Sequence, residues 1–227
     1  QMEMQFFIQP GTQQEWYKKW KETRMKWHLA LGHPEEKLRF HDHDNLAHYA
    51  DAAVDIQFDF PFGFKELEGI HSRTDFDLSA HMELSGKKMT YHDPKTNEKY
   101  VPYVLETSIG ADRLFLATMS HALRTEQVPG QDDPTNVRDV MKLHPALAPI
   151  KAAIMPLKRN NPDIVKVAKD IFNDLRFRFD VQYDDTGAIG KLYRRQDAVG
   201  TPFCITVDFD TIEEGDDIFR ASFELST

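Results

Sequence analysis

The chain has 227 residues, a length that suits one large domain or two of modest size. Charged residues make up 29% and hydrophobic residues 41% of it, which excludes a disordered, collagen-like or coiled-coil protein. The single cysteine, Cys204, excludes an internal disulfide and a multi-thiolate zinc site. No apolar run reaches the ~20 residues that cross a bilayer, and residues 1–5 do not form a signal peptide. We therefore expect a soluble, cytoplasmic protein with no membrane partner.

The net charge is −9, from 28 Lys and Arg against 37 Asp and Glu. This balance argues against broad non-specific binding to nucleic acid, because counterion release needs clustered basic residues. It does not exclude a local basic patch on an otherwise acidic protein.

The first residues predict a strand followed by a helix. Residues 2–8 alternate as a strand does. Thr12 and Glu15 have the spacing of a capping box, which predicts a helix that continues to Gly32. One face of this helix carries the tryptophans, which we interpret as core packing rather than a ligand site. They are Trp16, Trp20 and Trp27.

From Phe40 to Thr118 the pattern predicts mostly short strands and loops. Strands are predicted at 54–60, around Leu67 and at 103–108, with a helix at 111–123. The polar stretch 85–99 predicts a hairpin or a surface excursion.

The second half predicts a different architecture after a polar linker at 125–142. The pattern predicts strands at 150–155, 179–183, 203–209 and 218–225. Helices alternate with them: one begins at Asn161-Pro162, and a second spans 189–199. Such alternation indicates a compact α/β unit with a partly parallel sheet. We therefore expect domains at 1–124 and 143–227.

A cluster of histidines and carboxylates offers one candidate metal site. His41, Asp42, His43, Asp44 and His48 include ligand types that bind metals. In a strand, however, His41 and His43 would share one face, and the two aspartates would share the other. We favour hydrogen-bonding loop residues over a metal site, and we consider a metal hydrolase remote.

A second charged cluster lies at 65–77. In a regular strand Glu66 and Glu68 would project from one face, with apolar Leu67 between them. The pattern indicates a polar sheet face, and a purely structural ion-pair network remains an equal alternative.

The third cluster combines a carboxylate, a hydroxyl and a guanidinium. Glu106 and Ser108 are two apart in a predicted strand, so they lie side by side on one face. Gly110 allows a bend, and Arg113 opens the next helix, where it suits a polyphosphate. One segment can therefore hold an amine and a phosphate. The alternative is a strand that ends at glycine with an incidental charge pair.

Several segments, in order along the chain, resemble class II aminoacyl-tRNA synthetases of the dimeric glycyl type. Residues 106–113 resemble motif 3, residues 63–78 the glycyl signature that precedes it, and residues 1–7 the end of motif 2. Residues 147–151 and 190–203 resemble the anticodon-binding domain of class IIa synthetases.

This resemblance implies an α+β and α/β fold. The first part would be an antiparallel-sheet catalytic core, partial in this chain, and the second a small α/β anticodon-binding domain with a mixed sheet. Motif 1 and the ATP-binding arginine of motif 2 are not in the sequence, nor are the last strand and helix of the anticodon-binding domain. We therefore expect a fragment that cannot form glycyl-adenylate unaided.

The resemblance also assigns site residues, with Glu106 and Arg113 as the catalytic pair. The glycine-binding residues would be Gln1, Met2, Glu3, Glu106, Thr107, Ser108, Ile109 and Gly110. The ATP-binding residues would be Glu66, Leu67, Gly110, Ala111, Asp112 and Arg113. Arg73 would contact a carboxylate or a phosphate. Magnesium would accompany the nucleotide with help from Glu106 or Glu66, and no metal would be resident in the protein.

The implied activity is ATP-dependent activation of glycine to glycyl-adenylate, followed by transfer to the 3′ end of tRNA(Gly) by a homodimer. Lys191, Arg194 and Arg195 would touch tRNA phosphates, although a solvated helix face explains them equally well. The alternative is a non-catalytic, synthetase-like accessory protein that binds nucleic acid. The retained Glu106, Ser108 and Arg113 count against it, because a binding platform needs no paired amine and phosphate site.

Overall fold

A computed structural model describes residues 1–46, 48–128, 130 and 133–213, and the backbone of 224–225. The chain forms two compact units, Gln1–Ser120 and His121–Thr227. Among the helices of the described residues, none has the length and apolar character needed to span a membrane.

The elements of the first unit are as follows in chain order. They are β1 (Met2–Ile8), α1 (Gln13–Ala30), a 3-10 turn (Glu35–Lys37), β2 (Leu38–Asp42), β3 (Ala52–Phe60), β4 (Gly63–Ser72), α2 (Phe76–Ser85), β5 (Tyr91–His92), β6 (Lys99–Tyr100), β7 (Tyr103–Ile109) and α3 (Ala111–Ala122). Helix α2 was not predicted, whereas the β5–β6 pair is the hairpin expected within 85–99.

An antiparallel sheet of five strands in the order β1-β7-β4-β3-β2 forms the centre of this unit. The predicted antiparallel sheet is therefore confirmed. Strand β7, which carries the Glu106 cluster, lies between β1 and β4. The three segments that resemble synthetase motifs are thus neighbours, although long stretches of sequence separate them.

Helix α1 packs its tryptophans against one face of the sheet. Phe6 of β1 lies 4.9 Å from Trp16 and 5.4 Å from Trp20, measured between ring centroids. Trp27 packs against the same core, which includes buried Ile56 and Leu105. The interpretation of the tryptophan stripe as core packing is confirmed.

The predicted capping box at the start of α1 is wrong. Thr12 makes no side-chain cap; its hydroxyl donates instead to the carbonyl of Gln9 at 2.7 Å. Its ψ angle of 1° also differs from the extended backbone that a capping residue normally has. The helix is held by tryptophan packing rather than by its cap.

The expectation that Glu66 and Glu68 share a face is also wrong, because β4 contains a β-bulge. Gln57 pairs with Glu66 but Ile56 pairs with Glu68, so Leu67 is an extra residue that changes the strand's alternation. Glu66 is exposed, whereas Glu68 is fully buried on the side of α1.

Glu68 binds two side chains of α1 in the core. Arg24 donates to both its carboxylate oxygens, at 2.6 and 3.2 Å, and His28 Nε2 lies 2.8 Å from Oε2. Burial alone would raise the pKa of Glu68, but the bonds from His28 and Arg24 outweigh it and hold that pKa below its usual value. Glu68 is therefore a charged anchor between α1 and the bulge.

The second unit is a three-layer α/β arrangement. Its elements are β8 (Leu123–Gln127), β9 (Val137–Met141), β10 (Ala152–Pro156), α4 (Pro162–Leu175), β11 (Val181–Tyr183), α5 (Ile189–Val199), β12 (Phe203–Val207), α6 (Phe209–Glu213) and β13 (Glu224–Leu225). The main sheet has the order β11-β10-β12-β13, with β10 parallel to β11 and β12 and with β13 antiparallel. The predicted mixed sheet is confirmed.

Most residues of β8 and β9 lie in the stretch 125–142 that was expected to be a linker, and the two strands form an antiparallel ribbon. Strands β8 and β9 pair along their full length. Arg138 bridges the ribbon, at 2.7 Å from Glu126 and 2.8 Å from Asp197 of α5. Polar cross-strand pairs therefore stabilise the ribbon. The linker was predicted because the stretch lacks apolar alternation, and such pairs do not need it.

Local signals were accurate at two helices of this unit, α4 and α5. Asn161 caps α4 by accepting from the amides of Asp163 and Ile164, and α5 has the predicted bounds. Helix α6 was not predicted. Most of the strand predicted at 218–225 lies outside the described residues.

We predict that Glu68→Gln lowers the free energy of unfolding of the first unit by about 3 kcal/mol, because it leaves Arg24 without its buried counter-charge. A carboxyl group whose pKa is lowered by folding stabilises the folded state at pH values above its unfolded pKa of about 4.3. This contribution is lost as the pH falls through the lower, folded pKa. The wild type should therefore lose stability on acidification more steeply than the variant. Urea unfolding followed by tryptophan fluorescence isolates this unit, because all 3 tryptophans lie in α1.

The matched control is Glu66→Gln, two residues away and exposed. It should leave the unfolding midpoint unchanged. Equal effects of the two substitutions would contradict the role of Glu68 as the anchor.

Candidate functional site

The sheet face opposite α1 is polar, and we call it the polar face. The strand register places Ser108 of β7 between Glu3 of β1 and Gly69 of β4, and Glu106 between Gln5 and His71. The prediction that Glu106 and Ser108 lie side by side on one face agrees with this register.

Hydrogen bonds connect β1 with β7 across the polar face. The Gln1 amide donates to the Glu3 carboxylate and to the Ser108 hydroxyl, both at 2.7 Å. The Gln5 amide donates to Glu106 Oε2 at 2.6 Å. Glu3, Ser108 and Glu106 therefore form one row of oxygen acceptors, which suits a ligand with several N–H donors.

The second oxygen of Glu106 faces two nitrogen-bearing side chains. Oε1 lies 3.5 Å from Arg73 Nη1 and 3.8 Å from His71 Nδ1. The Glu106 side chain is 15% exposed, so it is accessible from one side only. A partly buried carboxylate of this kind interacts more strongly with a cation than a fully exposed one.

Arg73 is held rigidly beside Glu106. Its guanidinium makes two bonds to Asp77, at 2.7 and 3.0 Å, and lies 4.2 Å from the centre of the Tyr49 ring. The bonds from Arg73 lower the pKa of Asp77, and the bonds to Asp77 raise the pKa of Arg73. The guanidinium is thus charged and oriented, as the recognition of a carboxylate or phosphate requires.

Arg113 lies in the first turn of α3, which follows the bend at Gly110. Its Nη1 donates to the main-chain carbonyl of Glu66 at 2.7 Å and lies 3.7 Å from the Glu66 carboxylate. Both side chains are about half exposed, at 49% and 56%. The structure therefore places Arg113, the residue predicted to bind phosphate, beside Glu66 at the bulge of β4.

Some predicted site residues can offer only main-chain groups. The side chains of Leu67, Thr107 and Ile109 are buried, and Met2 shares the face of its register partner Ile109. In contrast, the residues at the start of α3 are exposed. These are Gly110, Ala111 and Asp112.

The histidine cluster divides among different partners. His43 bonds to Asp55 at 2.9 Å, and the His41 ring lies 6.3 Å from the His43 ring. His48 packs instead against Tyr49 and Phe76. Among the residues that the structure describes, no group of three or more His, Cys, Asp or Glu side chains is arranged to hold a metal ion. His43 therefore fits the favoured interpretation, that of a hydrogen-bonding residue, through its contact with Asp55.

Tyr49 and His71 join the site although the sequence analysis gave them no role. Tyr49 stacks on Arg73, and His71 faces Glu106. His71 lies two residues from both Gly69 and Arg73 in one strand-like run, and this spacing is the signal that could have found it. Nothing in the local sequence indicates the contact of Tyr49.

The basic residues of α5 fall into two kinds. Arg195 donates to Asp184 at 2.9 Å and to Thr186 at 2.6 Å, so it fixes the turn before the helix. Burial would raise the pKa of Asp184, but bonds from Thr186 and Arg195 hold that pKa below its usual value. Lys191 and Arg194 are exposed on the helix surface and are the better placed of the three for contacts with an anion.

Residues 151–218 match the family described as an anticodon binding domain. Among curated proteins, the chain is 54% identical over 216 residues to glycine–tRNA ligase of Chlorobaculum tepidum, covering 95% of this chain and 45% of that protein. It is 52% identical over 217 residues to the same ligase of Clostridium perfringens, covering 95% of this chain and 46% of that protein. The chain therefore spans less than half the length of the curated relatives it matches.

A solved structure supports the fold. Prolyl-tRNA synthetase of Giardia lamblia, in complex with prolyl-adenylate, superposes with a TM-score of 0.62 at 18% identity, over 94% of this chain and 41% of that one. These similarities confirm the family resemblance predicted from the motifs: along nearly its whole length the chain is similar to glycine–tRNA ligases, and residues 151–218 match an anticodon binding domain.

Proposed function

We propose that this chain supplies the glycine and ATP sites, together with a tRNA-reading unit, of a glycine–tRNA ligase. The observation that carries the proposal is the polar face, where Glu106 and Ser108 adjoin the fixed guanidinium of Arg73. The enzyme would join the carboxylate of glycine to the α-phosphate of ATP, releasing pyrophosphate, and pass the glycyl group to the terminal ribose of tRNA.

The row of acceptors on the polar face suits the ammonium group of glycine. Glu106 provides the opposite charge, and Ser108 and Glu3 provide further acceptors within the row. Arg73 is the neighbouring cation and would orient the glycine carboxylate. The two ends of a small zwitterion would then bind to Glu106 and Arg73, which are already in place before it arrives.

The bend between β7 and α3 suits the phosphates of ATP. Arg113 would exchange its contact with the Glu66 carbonyl for the terminal phosphate, while exposed amides at the start of α3 face the same anion. Leu67, with its side chain buried, would use main-chain groups toward the nucleotide. Catalysis would then rest on positioning and charge neutralisation rather than on acid–base chemistry.

Magnesium would accompany the nucleotide. Carboxylate oxygens are its usual protein ligands, and they are combined with phosphate oxygens when ATP is bound. Glu66 fits this role better than Glu106, because its carboxylate is 56% exposed while both oxygens of Glu106 face partners of the polar face. The ion would neutralise charge on the leaving pyrophosphate.

The second unit would read tRNA(Gly). The anticodon binding domain match covers α5, where Lys191 and Arg194 are exposed. These cations would contact phosphates of the anticodon stem, and the acidic balance of the chain would limit non-specific binding. The full-length protein would act in the cytoplasm as a homodimer, and sedimentation of the natural protein can check the dimer.

We predict that Glu106→Gln, made in the natural protein that carries this chain, lowers kcat/KM for glycine in pyrophosphate exchange by about 100-fold or more. The substitution removes the charge that faces the ammonium group but keeps the side-chain shape. The control is Glu83→Gln on α2, an exposed carboxylate outside the polar face. Activity of Glu106→Gln within threefold of wild type, or exchange driven by another amino acid, would overturn the proposed function.

We predict that Lys191→Ala and Arg194→Ala each raise KM for tRNA about threefold or more and reduce its salt dependence by about one phosphate contact. Lys166→Ala, an exposed lysine of α4, is the matched control and should change neither. Arg195→Ala should instead speed hydrogen exchange around Asp184, because it loses a structural bond. Unchanged aminoacylation kinetics in both α5 variants would contradict contact between this helix face and tRNA.

A further inference from the structure

The His71 ring lies over a glycine at the edge of the proposed amine site. Gly69 is the register partner of Ser108, and a Cβ placed on Gly69 would lie 2.8 Å from His71 Cε1. The imidazole therefore occupies the space that a side chain at position 69 would need. This space adjoins both Ser108 and Glu106 on the polar face.

Neighbours on both sides of the ring restrict its movement. His71 Nδ1 lies 3.8 Å from Glu106 Oε1, and the His43 ring meets the His71 ring edge to face with centroids 6.1 Å apart. His43 is itself bonded to Asp55 at 2.9 Å. The His71 side chain is only 21% exposed, so the ring forms a defined wall rather than a mobile surface group.

The surroundings of the ring also favour its neutral form. Burial lowers the pKa of His71 below its usual value, and the nearby carboxylates of Glu106 and Asp55 only partly oppose this effect. His43 and Arg73 lower that pKa further. His71 therefore leaves the charge of Glu106 available to a cationic ligand.

We propose that His71 is a specificity-determining residue, whose imidazole closes the side of the amine site and excludes amino acids larger than glycine. The inference rests on the proposed function, since it needs the ammonium group at Glu106 and Ser108. A pocket selects weakly against a smaller ligand but strongly against a larger one when the wall cannot move. The His43 ring packs edge to face against the imidazole, and an added methyl group on the ligand would meet the His71 ring.

The first test is His71→Ala in the natural protein, assayed by pyrophosphate exchange with glycine, alanine and serine. The ratio of kcat/KM for glycine to that for alanine should fall at least tenfold, which corresponds to about 1.4 kcal/mol of lost discrimination. His71→Asn, which is smaller than histidine but keeps a polar group, should give an intermediate ratio. An unchanged ratio in a variant that still activates glycine would overturn the inference.

The second test uses the contact between Gly69 and His71. Gly69→Ala should push the imidazole toward the amine site and raise KM for glycine, because the added methyl group meets Cε1. Adding His71→Ala to this variant should restore KM, since no ring is left to displace. Persistence of the high KM in the double variant would show that the ring does not bound the site.

The two proposals fail in different ways. Absence of glycine-dependent exchange in the wild type overturns the proposed function and this inference together. Normal exchange in the wild type with unaltered discrimination in His71→Ala overturns the inference alone. Thermal unfolding of each variant, followed by tryptophan fluorescence, separates a change of the pocket from a loss of the fold.

Discussion

The buried contact between Glu68 and helix α1 determines the geometry of the first unit. Glu68 is fully buried and receives bonds from Arg24 and His28. Removal of either partner would leave an uncompensated charge in the core, so β4 and α1 are held in one arrangement. The bulge at Leu67 lets β4 turn this carboxylate inward while Glu66, two residues earlier, remains outside.

The rest of the proposed active site depends on this change of alternation. With Glu68 directed toward the core, Gly69 and His71 fall on the polar face, next to Ser108 and Glu106 of β7. Glu66 at the other end of the bulge meets the first turn of α3 through Arg113. One structural irregularity thus separates the proposed amine-binding region from the proposed phosphate-binding region along the same pair of strands.

Sequence patterns predicted the elements that depend on local signals and missed those that depend on tertiary pairing. The Asn161 cap and the bounds of α5 follow from residues adjacent in sequence. The face of Glu68 does not, since a bulge is defined by its partner strand. Likewise, the polar ribbon at 125–142 depends on cross-strand pairs such as Arg138 with Glu126. Within the site, two-residue spacing predicted that Glu106 and Ser108 share a face of β7, and the family resemblance assigned Glu3 to the same site. The positions of Gln5 and His71 beside Glu106 follow only from strand order.

The most direct test of the account is a crystal structure of the natural protein with a non-hydrolysable glycyl-adenylate analogue. We expect the glycyl ammonium within hydrogen-bond distance of Glu106 and Ser108, the His71 ring in contact with the glycyl Cα, and the nucleotide along the side of Glu66. Binding of the analogue away from the polar face, or an ammonium group without contact to Glu106, would contradict it.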